Sequence, residues 1–342
     1  MKKIIPWVFG FVILLAIVYM AGPKDRPTSL DGEYPTVPSS LSELEAYVKA
    51  KEDTVKGLKP NNEARIIWAD SMAKNKTPYS ILYVHGFGAS QMEGDPVHRK
   101  LAEHFGANLY LSRLPEHGIK RENALEYLDA AKLVDGAREA YMISQQLGDS
   151  VIVMGTSMGG ALSLILAAER PEIKSLMLYS PCIEIYGNRL DPFFQPWTKM
   201  LMKMTMTNSL GVQEVSREGD VAKYWSEEYH INGYSSLAVL LKSKMNKNTF
   251  EKVRQPVFMA YYYKDEEHQD DVVSVPALLE MFDNLSTPDN LKEKQAFGEA
   301  GDHVITSSIK TESWEDVLEA SRKFLEETVG LVPISLLSEK SP

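Results

Sequence analysis

The stretch that most restricts how this chain can fold is Ser150–Leu166. A short apolar run, Ser150-Val151-Ile152-Val153-Met154, leads into Gly155-Thr156-Ser157-Met158-Gly159-Gly160 and then into Ala161-Leu162-Ser163-Leu164-Ile165-Leu166. An apolar strand pattern, a glycine-rich break and an apolar helix pattern predict strand, sharp turn and helix. A serine at the centre of such a turn needs neighbours without side chains, so glycines stand two positions away on each side. The turn carries the hydroxyl clear of the sheet at a helix N-terminus, where free N–H groups can receive a developing oxyanion. Ser157 is therefore the expected nucleophile, in the strand–turn–helix context that G-x-S-x-G chemistry requires. The competing reading is a glycine-rich turn with an incidental serine.

Elsewhere past Pro60 the chain alternates short apolar runs with amphipathic stretches. Strands are expected at Arg65–Ala69, Ser80–His85, Asn108–Leu111, Ser150–Met154, Ser175–Tyr179, Pro256–Tyr262 and Lys292–Ala296. Helices are expected near Pro96–His104, Ala124–Leu147, Met158–Ala168, Val275–Phe282 and Ser313–Leu325. Strands that alternate with helices imply an α/β fold, with a mostly parallel sheet covered by helices on both faces. The interval Ile183–Arg254 shows no strand pattern but carries Phe193, Phe194 and Trp197, then Met200, Met202, Met204 and Met206. It is expected to be a helical cap inserted at one edge of the sheet. The resulting division is core at 60–182, cap at 183–254, core again at 255–330 and a tail at 331–342.

Three further positions carry chemistry. His85-Gly86-Phe87-Gly88 ends the Ile81–Val84 strand. In acyl-transfer sites of this layout the loop after that strand supplies one oxyanion N–H, here assigned to Phe87, with the Met158 N–H as its partner. His85, at a strand end before glycine, is expected to be structural. His303, in Gly301-Asp302-His303-Val304-Ile305, follows the last strand and is the expected proton acceptor for Ser157. An acid must orient that imidazole and stabilise its charged form. Asp265, Asp270 and Asp271 compete for the role. Asp270 is favoured because Val272 and Val273 follow it as the chain turns from loop to helix. The same acidic loop, with His268, could be read as a metal loop, but it lacks a ligand spacing and no metal is expected.

The order Ser157…Asp270…His303, with a gap wide enough for a cap, resembles the α/β-hydrolase superfamily. From about residue 60 to 330 the chain resembles its serine hydrolases: monoacylglycerol lipases, lysophospholipases and carboxylesterases. Leu111-Ser112-Arg113-Leu114-Pro115-Glu116-His117-Gly118 resembles a segment of that group, with Glu116 where a glycine is usual. The resemblance implies two-step acyl transfer through a covalent intermediate and no cofactor.

Composition bounds the partners. Lys+Arg 37 against Asp+Glu 47 leaves a formal charge of −10, unsuited to holding nucleic-acid phosphates. One cysteine, Cys182, excludes an internal disulfide framework. At the N-terminus Lys2 and Lys3 precede an uncharged run, Ile4–Ala21. As a helix it would be roughly 27 Å long, close to a ~30 Å hydrocarbon core. Residues 1–22 are therefore expected to be a single-pass membrane anchor, with a cleaved signal peptide as the competing reading. The two lysines favour an extracytoplasmic main domain. Pro23, Pro27, Pro35 and Pro38 mark an extended stalk, and Leu41–Leu58 a leading helix, within 23–59.

The expected function is hydrolysis of carboxylic esters, with lipid or lysolipid acyl esters favoured by the anchor and by the methionine-rich cap. One alternative is a serine aminopeptidase, with Glu227 and Glu228 binding the substrate ammonium. Another is a membrane-anchored, non-catalytic binding protein.

Overall fold

A computed structural model describes residues 5–335, with side chains from residue 7 onward. The first half runs α1 (Ile5–Met20), α2 (Leu41–Asp53), β1 (Arg65–Ile67), β2 (Thr77–Val84), α3 (Val97–Phe105), β3 (Asn108–Leu111) and α4 (Ala130–Leu147). It continues with β4 (Gly148–Thr156), α5 (Met158–Glu169) and β5 (Ser175–Tyr179). An insertion holds α6 (Thr198–Met206), β6 (Val212–Glu214), α7 (Gly219–Tyr224), β7 (Glu228–His230), α8 (Ile231–Lys244) and α9 (Lys247–Phe250). The chain then closes with β8 (Val257–Tyr261), α10 (Val275–Asp283), β9 (Lys292–Ala296) and α11 (Trp314–Glu327).

Seven strands form one sheet in the order β1-β3-β2-β4-β5-β8-β9. Only β1 runs antiparallel to its neighbour. Side chains alternate between two cores, as the pleat demands. Ile81, Tyr83, Ile152, Met154, Met177, Tyr179 and Phe258 enter one core with α3 and α11. Leu82, Val84, Val151, Val153, Leu176, Leu178 and Met259 enter the other with α4, α5 and α10. Both faces are apolar, so these strands read as continuous apolar runs rather than as alternating ones. The expected α/β class and all seven core strands are borne out.

Four expectations need correction. The cap is not purely helical: β6 and β7 pair antiparallel, with Val212 opposite His230 and Glu214 opposite Glu228. The helix expected from Ala124 starts at Ala130, because the Asp129 side chain caps it by accepting the Lys132 N–H at 2.8 Å. The leading helix stops at Asp53 rather than Leu58, short of Gly57 at φ 76°. The segment read as an extended stalk lies against the domain. Leu30 and Val37 are buried, and the Leu30 carbonyl accepts from the buried Arg138 guanidinium at 2.9 Å. That guanidinium also pairs with Glu169 at 2.6 Å and Asp135 at 2.9 Å, so the segment covers the arginine while both carboxylates keep contact with solvent.

At the N-terminus α1 has 16 residues, with the apolar side chains from Trp7 to Met20 exposed. Among the described residues no helix is long and apolar enough to cross a membrane. Residues 1–4, with Lys2 and Lys3 of the expected anchor, lie outside the described residues, as do 336–342 of the expected tail. The far end of α1 meets the cap, where the Trp197 indole N–H donates to the Val18 and Tyr19 carbonyls at 3.2 and 3.1 Å.

Candidate active site

β4 is the central strand, and Ser157 follows it directly at its C-terminal end. Its backbone sits at φ 54°, ψ −120°, a conformation that L-residues rarely adopt. The surrounding packing enforces it. A Cβ on Gly159 would lie 1.9 Å from the Val84 carbonyl oxygen, and one on Gly155 would lie 2.4 Å from the Gly159 oxygen. The turn is tied down by the Ser157 N–H donating to Tyr179 and by the Cys182 N–H donating to the Ser157 carbonyl, each at 2.9 Å. The Ser157 side chain ends at the wall of a cavity, with the residue 7% exposed.

Loops after two other strands meet at the same end of the sheet. After β8, Asp270 is buried, and its Oδ1 accepts the Val272 and Val273 N–H groups at 2.9 and 3.0 Å. After β9, the His303 Nδ1 lies 2.6 Å from Asp270 Oδ2. Burial alone would push the Asp270 carboxyl up. The charge and hydrogen bond of His303, with the two valine N–H groups, outweigh it and hold the carboxyl below its ordinary range. Burial pulls the His303 imidazole down, but Asp270, then Glu93 and Asp302, raise it above its ordinary value. The Nε2 of His303 is buried without a hydrogen-bond partner among the described residues. His303 and Ser157 line the same cavity.

The competing carboxylates are placed elsewhere. Asp265 is exposed and bonded to the His268 ring at 2.8 Å, within its own loop. Asp271 is exposed, and its carbonyl accepts from Arg189. His85 is fully buried, with Nδ1 donating to the Gly86 carbonyl at 2.9 Å and Nε2 accepting the Leu114 N–H at 3.0 Å. Burial, then the neighbouring His117, pushes it down to about 3, so it stays neutral and structural. Glu116 takes a left-handed φ of 65°, the conformation a glycine would adopt freely, and its carboxylate pairs with Arg121.

Phe87 follows β2, and Met158 opens α5. Among the described residues neither backbone N–H has a hydrogen-bond partner, as expected for the first turn of a helix and an open loop. The cap pins this loop, with the Ser226 N–H donating to the Gly88 carbonyl at 2.7 Å. The cavity has a volume of about 880 Å³. Its apolar wall comes from Phe87 and from cap residues Phe193, Met202, Met206, Tyr234 and Leu237. Phe193 also packs the cap's own core against Ile231 and Ala238, whereas Met200 and Met204 face solvent. Glu227 and Glu228 do not line the cavity; they lie near Lys59.

One buried acid at the site escapes sequence reading. Glu93, on a short 3-10 turn at Gln91–Gly94, is 3% exposed and lines the cavity with Ser157 and His303. In the sequence it is one acid in a loop, with no spacing to distinguish it from a solvated glutamate.

Comparisons with known proteins agree with the architecture. Residues 76–293 match the family described as Serine aminopeptidase, S33. Over 108 residues, 32% of this chain, it is 31% identical to the thermostable monoacylglycerol lipase of Bacillus sp. (strain H-257), a match that spans 42% of that relative's length. Among solved structures it is similar to one described under LipS and LipT, two metagenome-derived lipolytic enzymes. That similarity has a TM-score of 0.60 at 18% identity, over 79% of this chain and 99% of that one. It is also similar to a soluble variant of monoglyceride lipase from Saccharomyces cerevisiae, with a TM-score of 0.58 at 14% identity over 78% and 91% of the two chains. At such identities the structural likeness speaks to the fold alone. The match over most of the core, on a sheet of this order, places the chain in the serine aminopeptidase S33 family of α/β-hydrolases.

Proposed function

We propose that this chain is a serine hydrolase of carboxylic esters, with lipid or lysolipid acyl esters as its substrate class. The observation that carries the reading is the junction of a strained Ser157 and an Asp270-held His303 at one cavity with an apolar wall. His303 Nε2 takes the Ser157 proton as the hydroxyl oxygen attacks the ester carbonyl. The Phe87 and Met158 N–H groups receive the oxyanion; loss of one such donor typically raises a barrier by about 3–4 kcal/mol. His303 then returns the proton to the leaving alcohol. It next activates water, which attacks the acyl-serine and frees the acid.

The cap supports an acyl-chain substrate, because it lends the cavity the aromatic and aliphatic side chains of Phe193, Met202, Met206, Tyr234 and Leu237. The exposed apolar side chains of α1 support attachment to a lipid surface, where such substrates concentrate, and Lys2 and Lys3 ahead of it favour a catalytic domain on the extracytoplasmic side. The peptidase alternative assigned the substrate ammonium to Glu227 and Glu228, which stand away from the cavity; the acids that line it are Glu93, Glu267, Asp271 and Asp302.

The test is turnover of acyl esters of graded chain length, beside aminoacyl amides, by the purified protein and by Ser157→Ala. Ester turnover should rise with chain length and be lost in the variant. Equal turnover by both proteins would defeat the assignment, and faster amide turnover would favour the peptidase. Fluorophosphonate labelling of intact and protease-shaved membranes reports the topology.

A further inference from the structure

Glu93 has no place in the mechanism above, yet it is buried beside it. Among the described residues no lysine or arginine pairs with it. A buried carboxyl needs other partners to offset its lost hydration. Its Oε2 accepts the Gly86 N–H at 2.5 Å and lies 3.4 Å from the Tyr83 hydroxyl. Gly86 immediately precedes Phe87, whose N–H is the loop's oxyanion donor. A Cβ built on Gly86 would sit 2.7 Å from Glu93 Oε1 and 3.0 Å from Ser157 Cβ, so carboxyl and serine share one small space. The backbone of the same turn reaches the other side of the site. The Glu93 carbonyl accepts the Thr306 hydroxyl, and the Met92 carbonyl accepts the Ser307 hydroxyl, each at 2.8 Å. Thr306 and Ser307 lie just beyond His303. The turn therefore braces the loop after β2 against the loop after β9.

We propose that Glu93 is a positioning residue, which fixes the Gly86–Phe87 backbone for the oxyanion and sets a second carboxyl, besides Asp270, within electrostatic reach of His303. This rests on the acyl-transfer reading of the site. The titratable groups that face Glu93 are Tyr83 from β2, Tyr229 from β7, and His303 and Asp302 from the loop after β9. Asp302 is itself paired with Lys310 at 2.8 Å. Burial pushes the Glu93 carboxyl up to about 7, against the Gly86 hydrogen bond and the His303 charge. Its charge therefore changes near neutral pH, and its ionised form favours the imidazolium.

The test compares the full chain with Glu93→Gln and Glu93→Ala. Glutamine keeps an acceptor for the Gly86 N–H and removes the charge; alanine removes both. His303 is titrated by NMR through its ring protons, a readout independent of turnover, and kcat and KM are measured across pH. In Glu93→Gln the His303 midpoint should move to lower pH, and the acid limb of kcat/KM should move with it. In Glu93→Ala kcat should fall roughly 10- to 100-fold with KM nearly unchanged, since misplacement by an ångström costs on the order of 10²-fold. An unmoved His303 midpoint in Glu93→Gln would overturn the proposal whether or not Glu93→Ala folds. Wild-type kcat in a folded Glu93→Ala would also overturn it. A shifted midpoint in a chain without ester turnover would instead defeat the acyl-transfer reading alone.

Discussion

Replacing Asp270 by asparagine separates the acyl-transfer mechanism from mere packing. All three hydrogen bonds to this carboxyl are accepted ones: two backbone N–H groups on Oδ1, and the His303 Nδ1–H on Oδ2 at 2.6 Å. An amide offers one accepting oxygen and one donating NH₂. Turning the NH₂ toward Val272 and Val273 would set donors against donors, at about 1–3 kcal/mol for each unsatisfied group. The oxygen therefore stays on the valines and the NH₂ faces Nδ1. The imidazole must then accept at Nδ1 and carry its proton on Nε2, the atom required to take the Ser157 proton. A wrong tautomer of this kind lowers kcat by about 10⁴, or roughly 5 kcal/mol of barrier. Stability should fall by only about 1–2 kcal/mol, because one hydrogen bond replaces another. The assay is steady-state hydrolysis of a short p-nitrophenyl ester at pH 8, beside thermal unfolding. Asp265→Asn and Asp271→Asn serve as controls and should stay near wild type, since both residues lie in the exposed loop. An Asp270→Asn protein within tenfold of wild-type kcat would refute the reasoning, as would an Asp265→Asn protein equally impaired.

Three further outcomes follow from the same structure. Because His303 is raised above its ordinary 6.5, kcat/KM should lose activity as pH falls through a midpoint above that value; a midpoint below it would contradict the Asp270 pairing. Stability has its own pH dependence, because burial lowers His85 to about 3 and His98 and His117 to about 4. Below pH 6.5 the unfolded chain protonates these rings while the folded chain does not, so stability is lost as pH falls toward 4. Glu93, raised to about 7, works in the opposite sense over the same range. The net loss should be about 2–3 kcal/mol per pH unit, measurable by urea unfolding between pH 6.5 and 4.5. Gly159→Ala should fail to reach the native turn, since its Cβ would lie 1.9 Å from the Val84 oxygen. Soluble, fully active Gly159→Ala would contradict the packing described for Ser157.

Much of the fold was legible because its central strands are buried on both faces. Asn108–Leu111 and Ser175–Tyr179 begin and end where that apolar pattern places them, and the exposed edge strand Lys292–Ala296 also keeps its expected bounds. β6 and β7 were not legible. Val212-Gln213-Glu214 and Glu228-Tyr229-His230 are three residues each, too short to show a period, and exist as strands only because each pairs with the other. The Pro-rich segment after α1 was misread for a related reason. Its composition announces an extended backbone, but nothing local announces the buried Arg138 that binds it.

At the site, the turn that carries Ser157 follows from the order of its own neighbours: an apolar strand, two spaced glycines and an apolar helix. Those are steric constraints between residues close in the chain, so they can be read there. Which acid meets His303 is a different kind of fact. Asp265, Asp270 and Asp271 are equivalent by composition, and only the paths of the loops leaving β8 and β9 bring Asp270 to 2.6 Å and leave the others in solvent. The burial of Glu93 is likewise decided by tertiary packing, because the loops that enclose it come from chain segments more than two hundred residues apart. Local backbone sterics are written in consecutive residues, whereas distance and burial between remote side chains exist only once the sheet has brought its strand ends together.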